Sequence, residues 1–269
     1  MTAPDAAGAS AAERAARLAA RADHVALCLD FDGTLSPIVP DPGSARPLEG
    51  VVELLGPLAE RFAAVALVSD RPADYLSEHA AAPGVRYLGM YGLQEIRDGQ
   101  VWVDPRLEAG RPAVEAAQRE LREHPAVRDS GAFLEDKRSA VAVHTRRVTD
   151  PQRWAAPIDR AAREIAAGHG LEVVPGKLVW ELRPAVPSDK GEAVRKVLIE
   201  FSARAVLVAG DDLGDLSAFA AAAQLAAEGG DALRVAVASA ETPERLLAEA
   251  DLVVDGPPGL GDFLRRLAE

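Results

Sequence analysis

Cysteine is nearly absent from this 269-residue chain: Cys28 is the only one, so no intramolecular disulfide can form and nothing marks the sequence for an oxidising compartment. Aromatic residues make up 4% of the chain against 48% apolar residues overall, so any core must be built mainly from Ala, Val and Leu. Basic residues are in deficit, 30 Lys and Arg against 42 Asp and Glu. The resulting formal charge of −12 disfavours nucleic acid or an anionic membrane as partner. An anionic small substrate stays open, provided a metal ion or a few local cations offset the general repulsion. No window reaches the roughly 18 apolar residues of a membrane span. Met1 to Ala22 carries Asp5 and Glu13 and has no unbroken apolar stretch, so it does not read as a signal peptide. A cytoplasmic monomer is expected, with its first ten residues disordered.

What the chain does have is alternation. Short β-branched runs separate Ala/Leu/Glu/Arg segments of helical period, the pattern of parallel strands joined by crossover helices. Strands are predicted at Val25 to Leu29, Ala64 to Val68 and Arg86 to Leu88, with helices over Leu48 to Phe62 and Pro72 to Ala81. Leu93 to Ile96 and Gln100 to Val103 flank Asp98-Gly99, a two-residue hairpin signal. The period then changes. Helix Arg111 to Glu123, extended runs 132–135 and 140–145, helix Pro151 to Ala167, and strands Leu171 to Val174 and Leu178 to Leu182 turning at Pro175-Gly176 describe an α+β unit with an antiparallel sheet. The parallel pattern resumes with helix Lys190 to Phe201, strand Ala205 to Ala209, helix Asp215 to Ala227, strand Arg234 to Val237, helix Pro243 to Glu249 and strand Leu252 to Val254. The expected organisation is an N-terminal tail or helix (1–22), an α/β core (23–97 and 186–269) and an inserted domain (98–185).

Four elements carry chemistry. The first strand ends in Asp30-Phe31-Asp32-Gly33-Thr34, and in open α/β sheets ligands bind at the carboxyl ends of strands. Two carboxylates two residues apart suit a nucleophile and a proton donor for phosphoryl transfer, while Gly33 and the amides after it can approach an anion. A polar turn after a strand would read the same way. Ser69-Asp70-Arg71-Pro72 follows the second strand, where a hydroxyl and helix-start amides can hold a phosphoryl oxygen, or simply cap the helix. Lys190, in Ser188-Asp189-Lys190-Gly191, puts a cation at the positive end of a helix dipole, which invites an anionic partner, although surface lysines do occur there. Gly210-Asp211-Asp212-Leu213-Gly214-Asp215 gathers three carboxylates at another strand end, which repel one another unless a cation such as Mg²⁺ or hydrogen bonds compensate. An acidic helix cap explains Asp215 better than it explains the adjacent pair.

In this order, these elements resemble the haloacid dehalogenase superfamily of aspartate-nucleophile phosphatases. The resemblance implies a Rossmann-like parallel-sheet core with an inserted α+β cap domain. It implies Asp30 as nucleophile and metal ligand, and Asp32 as general acid and then base, with its backbone carbonyl on the metal. Phosphate would be met by Gly33, Thr34, Ser69, Asp70, Arg71 and Lys190, and Mg²⁺ by Asp211 and Asp212 as well, with Asp215 in support. About 120 residues separate Ser69 from Lys190, too many for a loop in a compact domain, so the insertion lies between them.

Within the insertion stand Glu135-Asp136-Lys137, Val143-His144-Thr145-Arg146 and Gly176-Lys177-Leu178-Val179-Trp180-Glu181-Leu182-Arg183-Pro184. Strand alternation puts Lys177, Val179 and Glu181 on one face and Leu178, Trp180 and Leu182 on the other. This pattern is similar to that of the trehalose-6-phosphate phosphatase family, and the similarity runs from Val25 to Leu267. It implies hydrolysis of a sugar phosphate, trehalose 6-phosphate, with Lys137, Arg146, Lys177 and Glu181 as sugar-binding candidates and His144 and Arg183 as weaker ones. Three motifs depart from the family pattern: Asp70 stands where Gly is usual, Gly89-Met90-Tyr91-Gly92 lacks a histidine, and Leu216 replaces a carboxylate. Another phosphorylated disaccharide or pseudo-disaccharide is the alternative substrate.

Overall fold

A computed structural model describes residues 10–176 and 178–269. The expected disorder of the N-terminus therefore concerns, for residues 1–9, positions outside the described residues. Ser10 is the first described residue. Its hydroxyl accepts from the Glu13 amide while the Glu13 carboxylate accepts from the Ser10 amide, a reciprocal cap that starts α1 (Ala11–Ala19).

The chain divides into two compact units. The first, residues 1–39, 44–102 and 188–269, is built on one eight-stranded sheet. After α1 come β1 (Val25–Leu29), α2 (Val52–Arg61), β2 (Ala64–Val68), α3 (Ala73–His79) and β3 (Val85–Gly89). The hairpin β4 (Gln94–Arg97) and β5 (Gln100–Val103) follows, with Asp98 and Gly99 both at positive φ, as a tight two-residue turn demands.

The second unit, residues 40–43 and 103–187, contains α4 (Pro105–Glu108), α5 (Arg111–Glu123), α6 (Pro125–Arg128), β6 (Phe133–Asp136), β7 (Val141–His144), α7 (Pro151–Gly168), β8 (Leu171–Gly176) and β9 (Val179–Pro184). The chain then returns to the first unit through α8 (Lys190–Glu200), β10 (Ala205–Gly210), α9 (Leu216–Ala227), β11 (Asp231–Ala238), α10 (Glu244–Glu249), β12 (Leu252–Asp255) and α11 (Gly256–Ala268). Residues 98–102 thus extend the core sheet, where the sequence assigned them to the insertion.

Strand order in the large sheet is β12-β11-β10-β1-β2-β3-β4-β5, parallel from β12 to β3 and antiparallel between β3 and β4. Every residue of β1, β2 and β10 is buried, so these strands read as unbroken apolar runs. Alternate residues feed two cores. Val25, Leu27 and Leu29 pack with α2 and α11 on one face, whereas Ala26 and Cys28 pack with α8 and α9 on the other. The sheet order reverses between β1 and β10, and their carboxyl ends open the crevice in which a ligand can bind.

The second unit has its own core. Its four strands run β6-β7-β9-β8, all antiparallel, and Val141, Val143, Trp180 and Leu182 pack against α5 and α7. Register then fixes Ala142 opposite Glu181 on the other face of the sheet. The expected turn at Pro175-Gly176 lies further on: β8 runs through Gly176, and Leu178, at φ +61°, takes the turn position. A proline is tolerated at position 175 because β8 is an edge strand.

Candidate active site

β1 delivers Asp30 at its carboxyl end, and the Asp30 amide still donates to Ala209 of β10 at 3.0 Å, so the two strands splay only after this point. The next residues turn tightly, the amides of Leu35 and Ser36 both returning to the Phe31 carbonyl at 2.9 Å. β10 delivers Asp211 to the same place. Between them lies Gly33, at φ +73°, where a Cβ would stand 2.1 Å from an Asp211 carboxylate oxygen. Only a residue without a side chain lets the two loops meet.

Lys190 opens α8, whose cap is the Asp189 carboxylate accepting from the Glu192 amide at 2.8 Å. A lysine at a helix start faces the positive end of the dipole, and here two carboxylates compensate. Its Nζ lies 2.7 Å from Asp30 Oδ1 and 2.7 Å from Asp215 Oδ1. Asp215 is 1% exposed, and its other oxygen accepts from the amides of Asp211 (2.9 Å) and Asp212 (3.1 Å), which fixes the acidic loop. Gly210 allows this, since a Cβ there would strike the Asp215 carboxyl group at 2.1 Å.

Carboxylate oxygens of Asp30, Asp211 and Asp215 all lie within 4.8 Å of one another. Three acids against one ammonium leave unbalanced negative charge in a buried place. Burial, opposed by Lys190 and reinforced by the neighbouring aspartates, pushes the Asp30 carboxyl well above its ordinary range. Burial and the repulsion of Asp215 and Asp212 push Asp211 up to about 8. Asp212 is also raised, by burial first. Burial works against the Lys190 ammonium, but Asp215 and Asp30 outweigh it and hold that group charged. An all-oxygen, strongly acidic set of this kind suits a hard divalent cation.

The remaining expected residues divide. Thr34 is fully buried, with its hydroxyl 3.5 Å from Asp211 Oδ1. Ser69 follows β2 and is fully buried; its hydroxyl accepts from the Arg71 amide (3.2 Å) and lies 3.3 Å from Asp70 Oδ1. Asp32 is not among the converging carboxylates: both its oxygens are taken by Arg71, at 2.7 and 2.8 Å. Asp212 caps the turn after β10, its side chain accepting from the Gly214 amide at 2.8 Å. The sequence ranked Asp212 above Asp215 as a ligand because adjacency is visible in a sequence; the pairing of Asp215 with Lys190 across 25 residues is not.

On the sheet of the second unit, Lys137 Nζ and Glu181 Oε2 form a buried pair at 2.8 Å, and Glu135 lies 2.9 Å from His144. Arg146 sits half-buried in the turn after β7, and Lys177 lies outside the described residues. Arg183 pairs with Glu172 at 2.8 Å.

Three comparisons bear on this site. A family profile described as Trehalose-phosphatase matches residues 28–249. A trehalose-phosphate phosphatase of Mycobacterium leprae (strain TN) is 32% identical over 253 residues, covering 90% of this chain and 57% of that protein. The chain therefore spans less than two thirds of this curated relative. A crystal structure described as a trehalose-6-phosphate phosphatase related protein is 26% identical, with a TM-score of 0.73 over 90% of this chain and 96% of that one. The C-terminal domain of the C. albicans trehalose-6-phosphate phosphatase shares the fold, with a TM-score of 0.76 at 22% identity and 97% coverage of both chains.

Proposed function

The chain belongs to the trehalose-phosphatase family, and from that premise we propose that it hydrolyses trehalose 6-phosphate to trehalose and phosphate through a phospho-aspartyl intermediate on Asp30. The observation that carries this reading is the meeting of Asp30, Lys190, Asp211 and Asp215 in one buried cluster at the switch point of the sheet. Asp30 attacks phosphorus while Asp32 gives its proton to the leaving sugar oxygen. Asp32 then takes a proton from water as that water attacks the phospho-aspartate, releasing phosphate and restoring Asp30. Lys190 and the hydroxyls of Thr34 and Ser69 receive the phosphoryl oxygens. Asp30, Asp211 and Asp212, with the Asp32 carbonyl and Asp215 in support, would hold Mg²⁺, which offsets the repulsion between a carboxylate and a dianionic ester. Sugar hydroxyls are assigned to Lys137, Arg146, Lys177 and Glu181; the Lys137–Glu181 pair offers a donor and an acceptor on one sheet face.

The altered motifs give the alternative, another phosphorylated disaccharide or pseudo-disaccharide, an observation of its own: Asp70 adds a carboxylate beside Ser69. Phosphate release across a panel of sugar phosphates with Mg²⁺ decides, and trehalose 6-phosphate ranking among the poorest substrates rejects the first reading. Asp30→Asn is expected to abolish turnover with the fold intact by circular dichroism. Near-normal release from that variant rejects Asp30 as nucleophile. We read the enzyme as a cytoplasmic monomer, which cell fractionation and light scattering test.

A further inference from the structure

We propose that Arg71 and Tyr75 form a brace that aims the Asp32 carboxylate, so that Arg71 acts as a positioning residue through Asp32 and not as a phosphate ligand. The proposal rests on the reading of Asp32 as proton donor and acceptor.

The contact is a fork. Arg71 Nε reaches Asp32 Oδ2 at 2.7 Å and Nη2 reaches Oδ1 at 2.8 Å, the two-point geometry that fixes a carboxylate in both direction and rotation. The partners are unequally buried: the Arg71 side chain is 6% exposed and that of Asp32 is 24% exposed, so the arginine stays behind and the carboxylate faces outward. A carboxylate has about four lone-pair directions. The fork occupies one on each oxygen and leaves the others for the proton passed to the leaving alkoxide and, later, taken from water. For Arg71 to bind phosphate, it would have to abandon two charge-assisted bonds from a buried position.

Behind the guanidinium stands Tyr75, whose ring centroid is 4.7 Å from the Arg71 guanidinium carbon. Tyr75 is itself immobilised. Its hydroxyl donates to the Ala45 carbonyl at 2.8 Å and accepts from Arg46 at 3.1 Å. Its ring meets His79 edge-on at 4.4 Å and Phe31, the residue between the two aspartates, at 5.9 Å. The helix carrying Tyr75 is anchored where Pro72 cannot cap it: the Ala73 amide donates to the buried side chain of Gln94 at 3.2 Å. Strand β3 presses on the same loop through Gly89, where a Cβ would lie 2.3 Å from the Ala73 nitrogen, and Met90 donates to the Arg71 carbonyl at 2.9 Å. The loop, the helix and the ring thus converge on one guanidinium, and through it on one carboxylate.

The chemistry supplies a discriminating readout. A sugar alkoxide is a poor leaving group and needs the proton of Asp32, whereas p-nitrophenolate departs without one. Expulsion of the two groups therefore depends unequally on an aimed acid. We compare trehalose 6-phosphate with p-nitrophenyl phosphate, both with Mg²⁺, in Tyr75→Leu, Tyr75→Phe and Arg71→Lys. Tyr75→Leu and Arg71→Lys are expected to lower the ratio of kcat/KM on the sugar ester to kcat/KM on the aryl ester by about 10-fold or more, because kcat/KM reports departure of the leaving group and not the hydrolysis of the phospho-aspartate that both esters share. Tyr75→Phe keeps the ring and should restore most of the ratio. An Arg71→Lys variant whose KM rises for both esters at unchanged ratio overturns the proposal in favour of phosphate binding. Tyr75→Leu lowering kcat/KM alike for both esters overturns it in favour of a purely structural tyrosine, with Tyr75→Phe guarding against a folding failure. A wild-type chain inactive on both esters refutes the function itself, and the positioning role with it.

Discussion

At the scale of single residues, Gly33 shows how little space the site leaves. Its φ of +73° and the 2.1 Å that would separate a Cβ from Asp211 are independent obstacles to any side chain. Gly33→Ala is expected to cost about 1–3 kcal/mol in urea unfolding and to reduce phosphate release by about 100-fold. The acidic cluster offers a second test. Asp211 is pushed up to about 8 from an ordinary 3.8, so the folded chain keeps a proton that the unfolded chain surrenders. Stability conferred by that proton is complete below the unfolded value and is lost as pH rises through the folded one. In chelator, the melting temperature should therefore fall between about pH 5 and pH 8. Added Mg²⁺ should displace the proton and flatten the slope. Calorimetry in buffers of different ionisation enthalpy would register that proton on binding, and an equal slope with and without Mg²⁺ would falsify the metal assignment.

At the scale of elements, α1 and the strands at one end of the sheet are joined by charge. Asp251, just before β12, accepts from the Arg234 backbone and guanidinium on β11 at 2.9 Å each, and pairs with Arg14 of α1 at 3.0 Å. Burial would raise its carboxyl, but these bonds outweigh burial and hold it below the ordinary 3.8. Its stabilisation is present above the unfolded value and is lost as pH falls through the folded one. Asp251→Asn should thus cost about 1–2 kcal/mol near neutrality, and the difference from wild type should shrink in acid unfolding below about pH 4. Elements with a local signature were legible in the sequence: the apolar runs that became β1, β2 and β10, the Asp98-Gly99 hairpin, and acidic motifs at strand ends. α11 was not, and no element was expected after Leu252 to Val254, since Gly256, Pro257, Pro258 and Gly259 are poor helix formers in a helix interior; the structure puts the prolines in its first turn, where a missing N–H costs nothing. Also invisible was the buried Glu95, held by Arg97 at 3.0 Å, Arg86 at 3.4 Å and Lys196, which ties β4 to the helix bearing Lys190. Its partners on β3 and α8 are brought near by the fold alone, and so is the fork between Arg71 and Asp32, 39 residues apart.

At the scale of the whole molecule, the formal charge of −12 opposes arrival of the proposed dianionic ester, while the buried Lys190 supplies attraction at the site itself. Salt screens the long-range part within a Debye length of about 10 Å at 0.1 M and spares the contacts. With Mg²⁺ fixed, kcat/KM should therefore rise about two-fold or more from low to moderate ionic strength, kcat staying constant. A fall would mean that local cations dominate the approach.

The same large sheet also sets the order in which the chain can reach its native state. β1 pairs with β10, joining Val25 to Ala205 roughly 180 residues later, and the intervening chain includes a unit with a core of its own. Closing so long a loop as a free coil carries a steep entropic toll, reduced when its middle has already collapsed. Refolding kinetics should show helical signal returning early and enzymatic competence last, since Asp30 and Asp211 become neighbours only once that central pairing zips shut.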